Sequence, residues 1–229
     1  MALDPRLIDA QLWLARALLS PVLDGVADLD GATLLRTEEL IEQALASSPH
    51  YWKAHYARGQ LLRAQGRFKD AIPHYETAIV SNRNAARAFT QLGWCKLAAG
   101  QVEEEVVELA EQAIRLDPCH PTVAIAYNLI ATVRLYQSRQ DEAIVWFEKA
   151  VHSNPRHPWG HFGLAIAYGL MDQRDHAVAE LAEAQMLSDM FSSIVHCRAI
   201  RGEINTPASR ERFENIVVAG LRKAGLSEK

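Results

Sequence analysis

The sequence predicts an all-α protein built from repeated pairs of antiparallel helices. Three observations lead to this class. The 229 residues include 35 alanines, and alanine is the strongest helix former and small enough for close helix packing. Hydrophobic residues make up 49% of the chain, which is enough for a substantial core, while 12 glycines and 9 prolines are too few for a flexible polymer. Finally, a pattern of small and large residues recurs along the chain.

The recurring pattern has a period of 34 residues. In its clearest copy, Gly59 and Gly66 are followed by Ala71, Tyr75 and Ala78. Both glycines return 34 residues later, at Gly93 and Gly100. The small–large–small part with spacings of 4 and 3 residues returns at Ala143, Phe147 and Ala150, and again at Ala177, Leu181 and Ala184. Self-similarity at a fixed period indicates a stacked repeat architecture.

Each type of residue in the pattern has a physical role in a pair of helices. A glycine or polar residue is expected at the turn between them, at Gly66, Gly100, Ser138 and Asp172. A small residue lets the second helix approach the first, at Gly59, Gly93, Ala131 and Ala165. Large apolar residues then fill the space between neighbouring repeats, at Tyr75, Leu109, Phe147 and Leu181. Prolines such as Pro118 and Pro155 end the repeats, because a helix ends where proline follows.

This pattern resembles the tetratricopeptide repeat. The resemblance implies a tetratricopeptide α-solenoid, a right-handed superhelix of antiparallel helix pairs, with capping helices at its C-terminal end. The predicted array spans 1–189 in five units, at about 6–49 (degenerate), 52–85, 86–120, 124–157 and 158–189. Capping helices are predicted over 190–226, because a terminal repeat would otherwise expose its apolar side, and a tail over 227–229.

Two of the predicted units depart from the pattern. In the degenerate first unit, Trp13 and Ala17 are predicted at the signature positions of its first helix. In the second unit, the helix at about 103–116 carries one extra residue, and Glu105 stands where the other units have alanine. One inserted residue has to be absorbed locally, so we expect a π-bulge or a register shift in that helix.

Charge, hydropathy and cysteine content exclude several partners and compartments. A formal net charge of −4 gives no cationic field for a nucleic acid backbone, so no nucleic acid partner is expected. No stretch has the roughly 18–20 apolar residues of a membrane span. Cys95, Cys119 and Cys197 form no CxxC pair and no disulfide framework, which indicates a reducing compartment. A cytoplasmic protein without membrane contact is therefore predicted.

The sequence predicts no catalytic residue, metal site or cofactor. His157 and His161 lie four residues apart, but no HExxH motif and no paired CxxC completes a zinc site. We interpret them as ordinary structural or surface histidines. The run Glu103–Glu105 with Glu108 and Glu111 is interpreted as an exposed helical face, with an acidic docking patch as the alternative. No GxxxxGK[ST] or GxGxxG motif supplies a phosphate cradle.

Longer segments resemble one group of repeat proteins more closely. These are LLRAQGRFKDAIPHYETAI (61–79), QAIRLDPCHP (112–121), LYQSRQDEAIVWFEKA (135–150) and RFENIVVAGLRKAGL (212–226). Together they are similar to the helical C-terminal region of bacterial class III adenylate/guanylate cyclases. The resemblance implies a regulatory or assembly region and carries over no catalytic residue, because the two metal-binding aspartates and the mixed sheet of a cyclase domain have no counterpart in this chain.

In tetratricopeptide arrays, the second, fifth, ninth and twelfth residues of each unit face the groove that binds partners; we call these the groove positions. The resemblance thus predicts a protein or peptide partner bound by Lys53, Tyr56, Gln60, Arg63, Arg87, Thr90, Trp94, Asn128, Thr132, Trp159, Phe162 and Ile166. The remaining groove positions are Leu97, Ile125, Leu135 and Gly169. The cationic and aromatic residues fall in the N-terminal half. The alternative for Trp159, Phe162 and Ile166 is burial beneath the cap.

One subtype of partner is not expected from these positions. Repeats that clamp the C-terminal carboxylate of heat-shock chaperones have a basic residue at the fifth position and asparagine at the ninth, whereas this chain has Tyr56 and Gln60. We expect a non-catalytic protein-interaction or scaffold module. The alternatives are a sensor that binds a small ligand or signal peptide and transmits a change in curvature, and self-association through the N-terminal face.

Overall fold

The computed structural model describes residues 5–23, 29–101, 104–200 and 207–229, and every regular element in these ranges is helical. The all-α prediction is therefore confirmed. The chain divides into two compact units, Met1–Cys95 and Lys96–Lys229, with the boundary inside one helix. The predicted division into an array over 1–189 and a cap over 190–226 stays a prediction. None of the described helices is both long and apolar enough to cross a lipid bilayer.

The first unit consists of stacked helix pairs. Its helices are α1 (Pro5–Leu23), α2 (Gly31–Ser47), α3 (Trp52–Ala64), α4 (Phe68–Ser81) and the first ten residues of α5 (Ala86–Ala98). Helix α1 packs against both α2 and α3, and α3 packs against α4. Asp30 begins α2, since its side chain accepts hydrogen bonds from the backbone amides of Ala32 and Thr33 at 2.8 Å.

The core of this unit corrects the predicted register of the first repeat. Trp13 is 63% exposed and Ala17 is also exposed, whereas Ala15 is fully buried. Ala15, two residues before the predicted Ala17, is therefore the small residue of α1 that faces the core. The apolar stripe of α1 that faces the core is Ile8, Leu12, Ala15 and Leu19. The spacing of 4, 3 and 4 residues keeps these side chains on one face of the helix.

The turns inside four of the repeats lie at the residues that the sequence predicts. The four predicted turn residues all have positive φ: Gly66 (73°), Gly100 (98°), Ser138 (60°) and Asp172 (57°). Each turn also closes a hydrogen bond from the following amide to the carbonyl five residues earlier, as from Arg139 to Arg134 at 2.9 Å and from Gln173 to Tyr168 at 2.9 Å. This left-handed closure ends the first helix and returns the chain antiparallel.

The second unit continues the pattern after the end of α5. Its repeat helices are α6 (Glu104–Leu116), α7 (Val123–Tyr136), α8 (Gln140–Ser153), α9 (Pro158–Leu170) and α10 (Arg174–Leu187). Successive helices from α6 to α10 pack against one another, and α7 also packs against α9. Phe147 of α8 lies against α9 at Gly163, where a Cβ atom would be 2.2 Å from its ring. The ring therefore occupies space that only glycine leaves open.

Helix α6 absorbs the extra residue as a register shift. It is α-helical throughout Glu104–Leu116, so a π-bulge is wrong for these residues; residue 103 lies outside the described part. Besides Val107, the buried side chains of α6 are Val106, Ala110 and Ala113, which lie 35 residues after Ala71, Tyr75 and Ala78, respectively. Leu109, which was predicted to fill the space between repeats, is only half-buried.

The C-terminal elements close the second unit. They are a 3₁₀ turn (Asp189–Phe191), α11 (Ile194–Ile200), α12 (Pro207–Arg212), a π-helical segment (Phe213–Val218) and α13 (Ala219–Lys223). Helix α13 packs against α9. Its Gly220 crosses Gly169 so closely that a Cβ atom on Gly169 would lie 2.2 Å from the Gly220 carbonyl oxygen. Residues 201–206 of the predicted cap lie outside the described residues.

The Gly169–Gly220 crossing predicts the effect of one added methyl group. Gly169→Ala should lower the free energy of unfolding by about 1–3 kcal/mol, because the methyl group meets backbone atoms rather than a movable side chain. Gly31→Ala is the control, since no atom lies within 4 Å of its added methyl group, and it should change stability by less than about 0.5 kcal/mol. Urea unfolding of both variants measures the difference. Equal stabilities would contradict the close crossing.

Candidate functional site

The first unit gathers most of the predicted cationic and aromatic groove residues on α3 and α5. Tyr56, Gln60 and Arg63 follow one another at spacings of 4 and 3 residues, so they share one face of α3. Tyr56, Arg63, Arg87 and Trp94 are half-buried, whereas Gln60 is 7% and Thr90 6% exposed. Arg16 of α1 is also half-buried and is close enough for its charge to act on Tyr56. We call Arg16, Tyr56, Gln60, Arg63 and Arg87 the arginine face.

Tyr56 lies at the centre of the arginine face. Its ring contacts Tyr75 edge-on, with the ring centroids 5.7 Å apart, and it packs on the small cluster of Ala78, Ala85 and Ala88. Desolvation raises the pKa of the Tyr56 hydroxyl, and the positive charges of Arg87, Arg16 and Arg63 oppose this rise. Three cations from three helices therefore act on one tyrosine.

Gln60 and Arg63 differ in how their polar groups are satisfied. Arg63 donates a hydrogen bond from Nη1 to the side-chain oxygen of Gln91 on α5. The Gln60 Oε1 atom is buried and accepts no hydrogen bond from any described residue. A buried acceptor without a donor costs free energy, so this oxygen is unfavourable in the conformation described.

Lys53, another predicted groove residue, is engaged in an ion pair. Its Nζ lies 2.9 Å from Oδ2 of Asp9, and the Tyr51 hydroxyl donates to Oδ1 of the same carboxylate. The hydrogen bonds from Tyr51 and Lys53 lower the pKa of Asp9, and the bond to Asp9 raises the pKa of Lys53. The positive charge of Lys53 is therefore balanced within the protein.

The arginines of the first unit fall into two groups. Arg36, Arg58 and Arg67 each lie within ion-pair distance of a carboxylate on the same unit. For Arg16 and Arg63, no carboxylate of a described residue lies within 4.0 Å. Arg16 instead lies over the exposed ring of Trp13, with its guanidinium carbon 5.3 Å from the ring centroid. In the described part of the chain, no carboxylate therefore lies close enough to Arg16 or Arg63 to balance its charge.

In the second unit, the chain covers its own groove positions. Phe162 is 7% and Ile166 3% exposed, so the prediction that they bind a partner needs correction. Phe191 of the 3₁₀ turn stacks on Phe162 with a centroid distance of 4.1 Å, and Gly220 of α13 contacts Ile166. The apolar C-terminal elements cover them because exposing both would leave a large apolar surface in water. Trp159 remains 38% exposed, with its ring edge-on to Phe191.

The groove positions of α7 are largely internal as well. Asn128 is 3% exposed, and neither its Nδ2 nor its Oδ1 has a hydrogen-bond partner among the described residues. Thr132 is half-buried and donates from Oγ1 to the Asn128 carbonyl at 2.7 Å. Leu135 is 2% exposed, in the same core as Phe213 and Leu221. Burial therefore removes Asn128 from direct reach of a partner in this conformation.

Sequence reasoning missed Arg16 and Gln91. Arg16 was missed because no groove positions were assigned in the degenerate first unit. With Ala15 rather than Ala17 facing the core, Arg16 lies directly beside the buried stripe of α1 and is half-buried. The signal that could have found this register is the stripe of four buried apolar residues in α1, whose spacing excludes Ala17.

The described histidines and acids form no metal centre. No group of three or more histidine, cysteine, aspartate or glutamate side chains in the described ranges is arranged to hold a metal ion. His161 packs between Glu180, 2.7 Å from its Nδ1, and the Pro155 carbonyl, 3.2 Å from its Nε2. In the acidic run, Glu104 pairs with the buried Arg134 at 2.6 Å and Glu105 with Lys96 at 2.5 Å.

Comparisons with known proteins agree with the fold described above. A family model described as tetratricopeptide repeat matches residues 38–81 and 56–121. Hsp70-Hsp90 organizing protein 2 of Arabidopsis thaliana is 25% identical over 120 residues, which cover 52% of this chain. The chain spans only 20% of the length of that curated relative. The matched segments contain the 34-residue pattern, so residues 38–121 resemble tetratricopeptide repeats.

Solved structures extend the likeness of fold to nearly the whole chain. A structure of pilF from Pseudomonas aeruginosa is 16% identical, with a TM-score of 0.65 and 96% of both chains covered. PilW, titled a type IV pilus biogenesis factor, is 17% identical with a TM-score of 0.68, covering 97% of this chain and 90% of that one. YrrB, titled a TPR protein with an unusual peptide-binding site, is 17% identical with a TM-score of 0.53, covering 82% and 89%.

At these identities the likeness concerns the fold alone. The matched segments and the shared fold make this chain similar to tetratricopeptide-repeat proteins, as the sequence predicted. Tetratricopeptide repeats mediate protein–protein interactions and generally serve as non-catalytic scaffolds. The resemblance to the C-terminal region of cyclases has no counterpart among these findings.

Burial predicts which thiols react. Desolvation raises the pKa of Cys95, beneath the arginine face, to about 12 and that of Cys197 to about 11, whereas Cys119 is exposed. Only thiolates react rapidly, so about one thiol per folded chain should react with Ellman's reagent near pH 8, and all should react in denaturant. Cys119→Ser should abolish the rapid phase. Rapid reaction of a second thiol in that variant would contradict the burial described above.

Proposed function

We propose that this chain is a non-catalytic protein-interaction module and that it binds a peptide or a partner domain through the groove positions of its first unit. The surface comprises the arginine face together with Thr90 and Trp94 of α5. The observation that carries the proposal is that Arg16 and Arg63 both act on the half-buried Tyr56, while no carboxylate of a described residue lies within 4.0 Å of either arginine. Surfaces rich in tyrosine, tryptophan and arginine are the usual anchors of protein interfaces.

The comparisons support the class of function but not the partner. YrrB is described as having an unusual peptide-binding site, and the Arabidopsis relative is named as an organizing protein of Hsp70 and Hsp90. Tyr56 and Gln60 stand where chaperone-binding repeats have a basic residue and asparagine. We therefore propose a peptide or protein partner other than the carboxylate terminus of a heat-shock chaperone.

Selection from a random peptide library tests the proposed surface. Peptides that bind the intact chain should lose about tenfold or more in affinity for a triple variant with Arg63→Gln, Arg87→Gln and Trp94→Ala, because central aromatic and arginine anchors contribute most of the binding energy. Fluorescence anisotropy with the selected peptides measures the loss. Circular dichroism should show unchanged helix content in the variant.

A matched control separates this surface from the rest of the first unit. The control carries Arg36→Gln, Arg67→Gln and Leu35→Ala, which are two exposed arginines in ion pairs and an exposed leucine outside the proposed surface. Its affinity for the selected peptides should stay within about twofold of the unmodified chain. If both triple variants lose affinity equally, or neither does, the placement of the surface is wrong.

The structure does not support the observation that suggested a ligand sensor. That observation was an apolar patch at Trp159 and Phe162, and Phe191 now fills the patch at Phe162. We therefore favour the interaction module over a sensor that transmits a curvature change. Self-association stays a prediction; Leu7, Trp13 and Leu14 of α1 are exposed and could contribute to it.

We further propose that the module is a regulatory or assembly region of a cyclase-like signalling protein. Its support is the resemblance of four sequence segments, among them residues 212–226, to the C-terminal region of bacterial class III cyclases. In this arrangement the cyclase domain, rather than this chain, would be catalytic. The coding sequence directly upstream tests the proposal: we expect it to encode a class III cyclase domain in the same frame or in an adjacent gene. A coding context without any cyclase would contradict it.

A further inference from the structure

Helix α1 is apolar on two opposite sides. One side is the buried stripe that packs on the core of the first unit. On the other side, the exposed residues between Leu7 and Leu23 are Ser20 and six apolar residues, which we call the outer face: Leu7, Ala10, Trp13, Leu14, Ala17 and Pro21. At about 100° per residue, the outer face covers roughly 120° of the helix surface, directly opposite the buried stripe.

The exposed sides of neighbouring helices differ from the outer face in charge. Helix α2 exposes Arg36 and Glu39, and α4 exposes Lys69 and Glu76. None of the exposed residues of α1 between Leu7 and Leu23 is charged. A helix that is apolar all round is normally buried, because either side left in water costs free energy.

The outer face is also large enough to act as an interaction surface. Trp13 is 63%, Leu7 47% and Leu14 44% exposed. These three side chains follow one another along a single side of the helix, so they form one continuous apolar patch. Continuous exposed apolar patches of this kind mark sites where another molecule binds.

The order of residues on the outer face fits a second copy of the same face. Trp13 and Leu14 lie in its middle, with Ala10 three residues before Trp13 and Ala17 three residues after Leu14. If two α1 helices pack antiparallel about a two-fold axis between Trp13 and Leu14, Ala10 of each copy faces Ala17 of the other. Facing alanines let the helix axes approach to about 8 Å. An interface that uses the same patch twice is the usual arrangement of a homodimer.

Charge favours a second copy over a charged partner. The outer face offers no charged group that would attract a partner of opposite sign. The charges beside it are engaged within the chain: Arg16 lies over Trp13, with its guanidinium carbon 5.3 Å from the ring centroid, and Asp9 is held by Lys53 and Tyr51. Antiparallel packing also places the dipoles of the two helices in opposite directions, which is favourable.

We propose that the chain forms a symmetric homodimer through the outer face of α1, with the two helices antiparallel and Ala10 of each copy facing Ala17 of the other. The proposal goes beyond the proposed peptide surface, because the outer face contains no residue of the arginine face. One helix of 19 residues is about 28 Å long, and a pair of them buries less than the roughly 1,200 Å² of standard interfaces. We therefore expect a weak dimer, with a dissociation constant on the order of 10–100 μM.

Sedimentation of the full chain between about 1 and 500 μM tests the proposal. The mass should rise from one chain to two within this range and rise no further. Trp13→Gln combined with Leu14→Gln should raise the dissociation constant about tenfold or more, because the central side chains contribute most of the binding energy. Val80→Gln is the control, since Val80 is 79% exposed on α4, and it should stay within about twofold. Circular dichroism should show unchanged helix content in both variants.

Salt dependence separates apolar from ionic association. Raising the salt from about 50 to about 500 mM should not weaken the dimer, because screening acts only on charges and the outer face has none. A dimer that dissociates as salt is added would overturn the outer face as the contact.

Cross-linking tests the antiparallel arrangement. Cys119→Ser first removes the exposed thiol. In that background, a chain with both Ala10→Cys and Ala17→Cys should form a disulfide-linked dimer on mild oxidation, because facing residues lie within disulfide distance. A chain with either substitution alone should give several-fold less, since each cysteine then faces an alanine. Equal yields from the single and double variants would overturn the antiparallel arrangement.

The remaining outcomes also decide the proposal. A constant mass of one chain up to 500 μM would overturn the dimer. Equal dissociation constants for the Trp13 and Leu14 variant and for Val80→Gln would overturn its assignment to the outer face, and steady growth beyond two chains would overturn the closed symmetry. A chain that stays monomeric but sediments with phosphatidylcholine vesicles, and no longer does so in the Trp13 and Leu14 variant, would assign the outer face to a lipid surface instead.

Discussion

The structure depends on aromatic rings that pack where a helix has no Cβ atom. A Cβ on Gly59 would lie 2.8 Å from the ring of Tyr75, and one on Gly163 would lie 2.2 Å from the ring of Phe147. Each ring is therefore in direct contact with the backbone of another helix, which fixes the separation and rotation of the two helices. The first helices of successive repeats then present the same face, and residues three and four apart become neighbours on a common surface.

The two units use this common face differently. In the first unit it bears half-buried arginines and tyrosine, with a hydrogen-bond acceptor at Gln60 that has no donor among the described residues. In the second unit the corresponding residues are apolar, and the chain covers them with Phe191 and α13. Apolar groove residues gain most from burial and cationic residues lose most, so the C-terminal elements cover the apolar residues. The same face of the repeats is thus part of the core in the second unit and a candidate binding surface in the first unit.

The parts of the fold that depend on local spacing could be predicted from the sequence. The turn residues Ser138 and Asp172 adopt positive φ although neither is glycine, because the repeat requires a left-handed residue there. The inserted residue of the second repeat shifts the buried side chains by one position, which the spacing indicated. The candidate site was predicted less well: Tyr56 and Arg63 lie on one face as expected, but Phe162 and Ile166 are covered by elements distant in sequence.

The sequence by itself determined the helical class, the 34-residue period and the turn positions, because these follow from local propensity and from which positions must be small. Only the tertiary structure decided that Ala15, rather than Ala17, faces the core and so brings Arg16 towards Tyr56. It also decided that Lys53 is balanced by Asp9 whereas Arg63 bonds the neutral Gln91. Pairing of charges depends on contacts between helices far apart along the chain, and a repeat pattern specifies only which face each residue occupies.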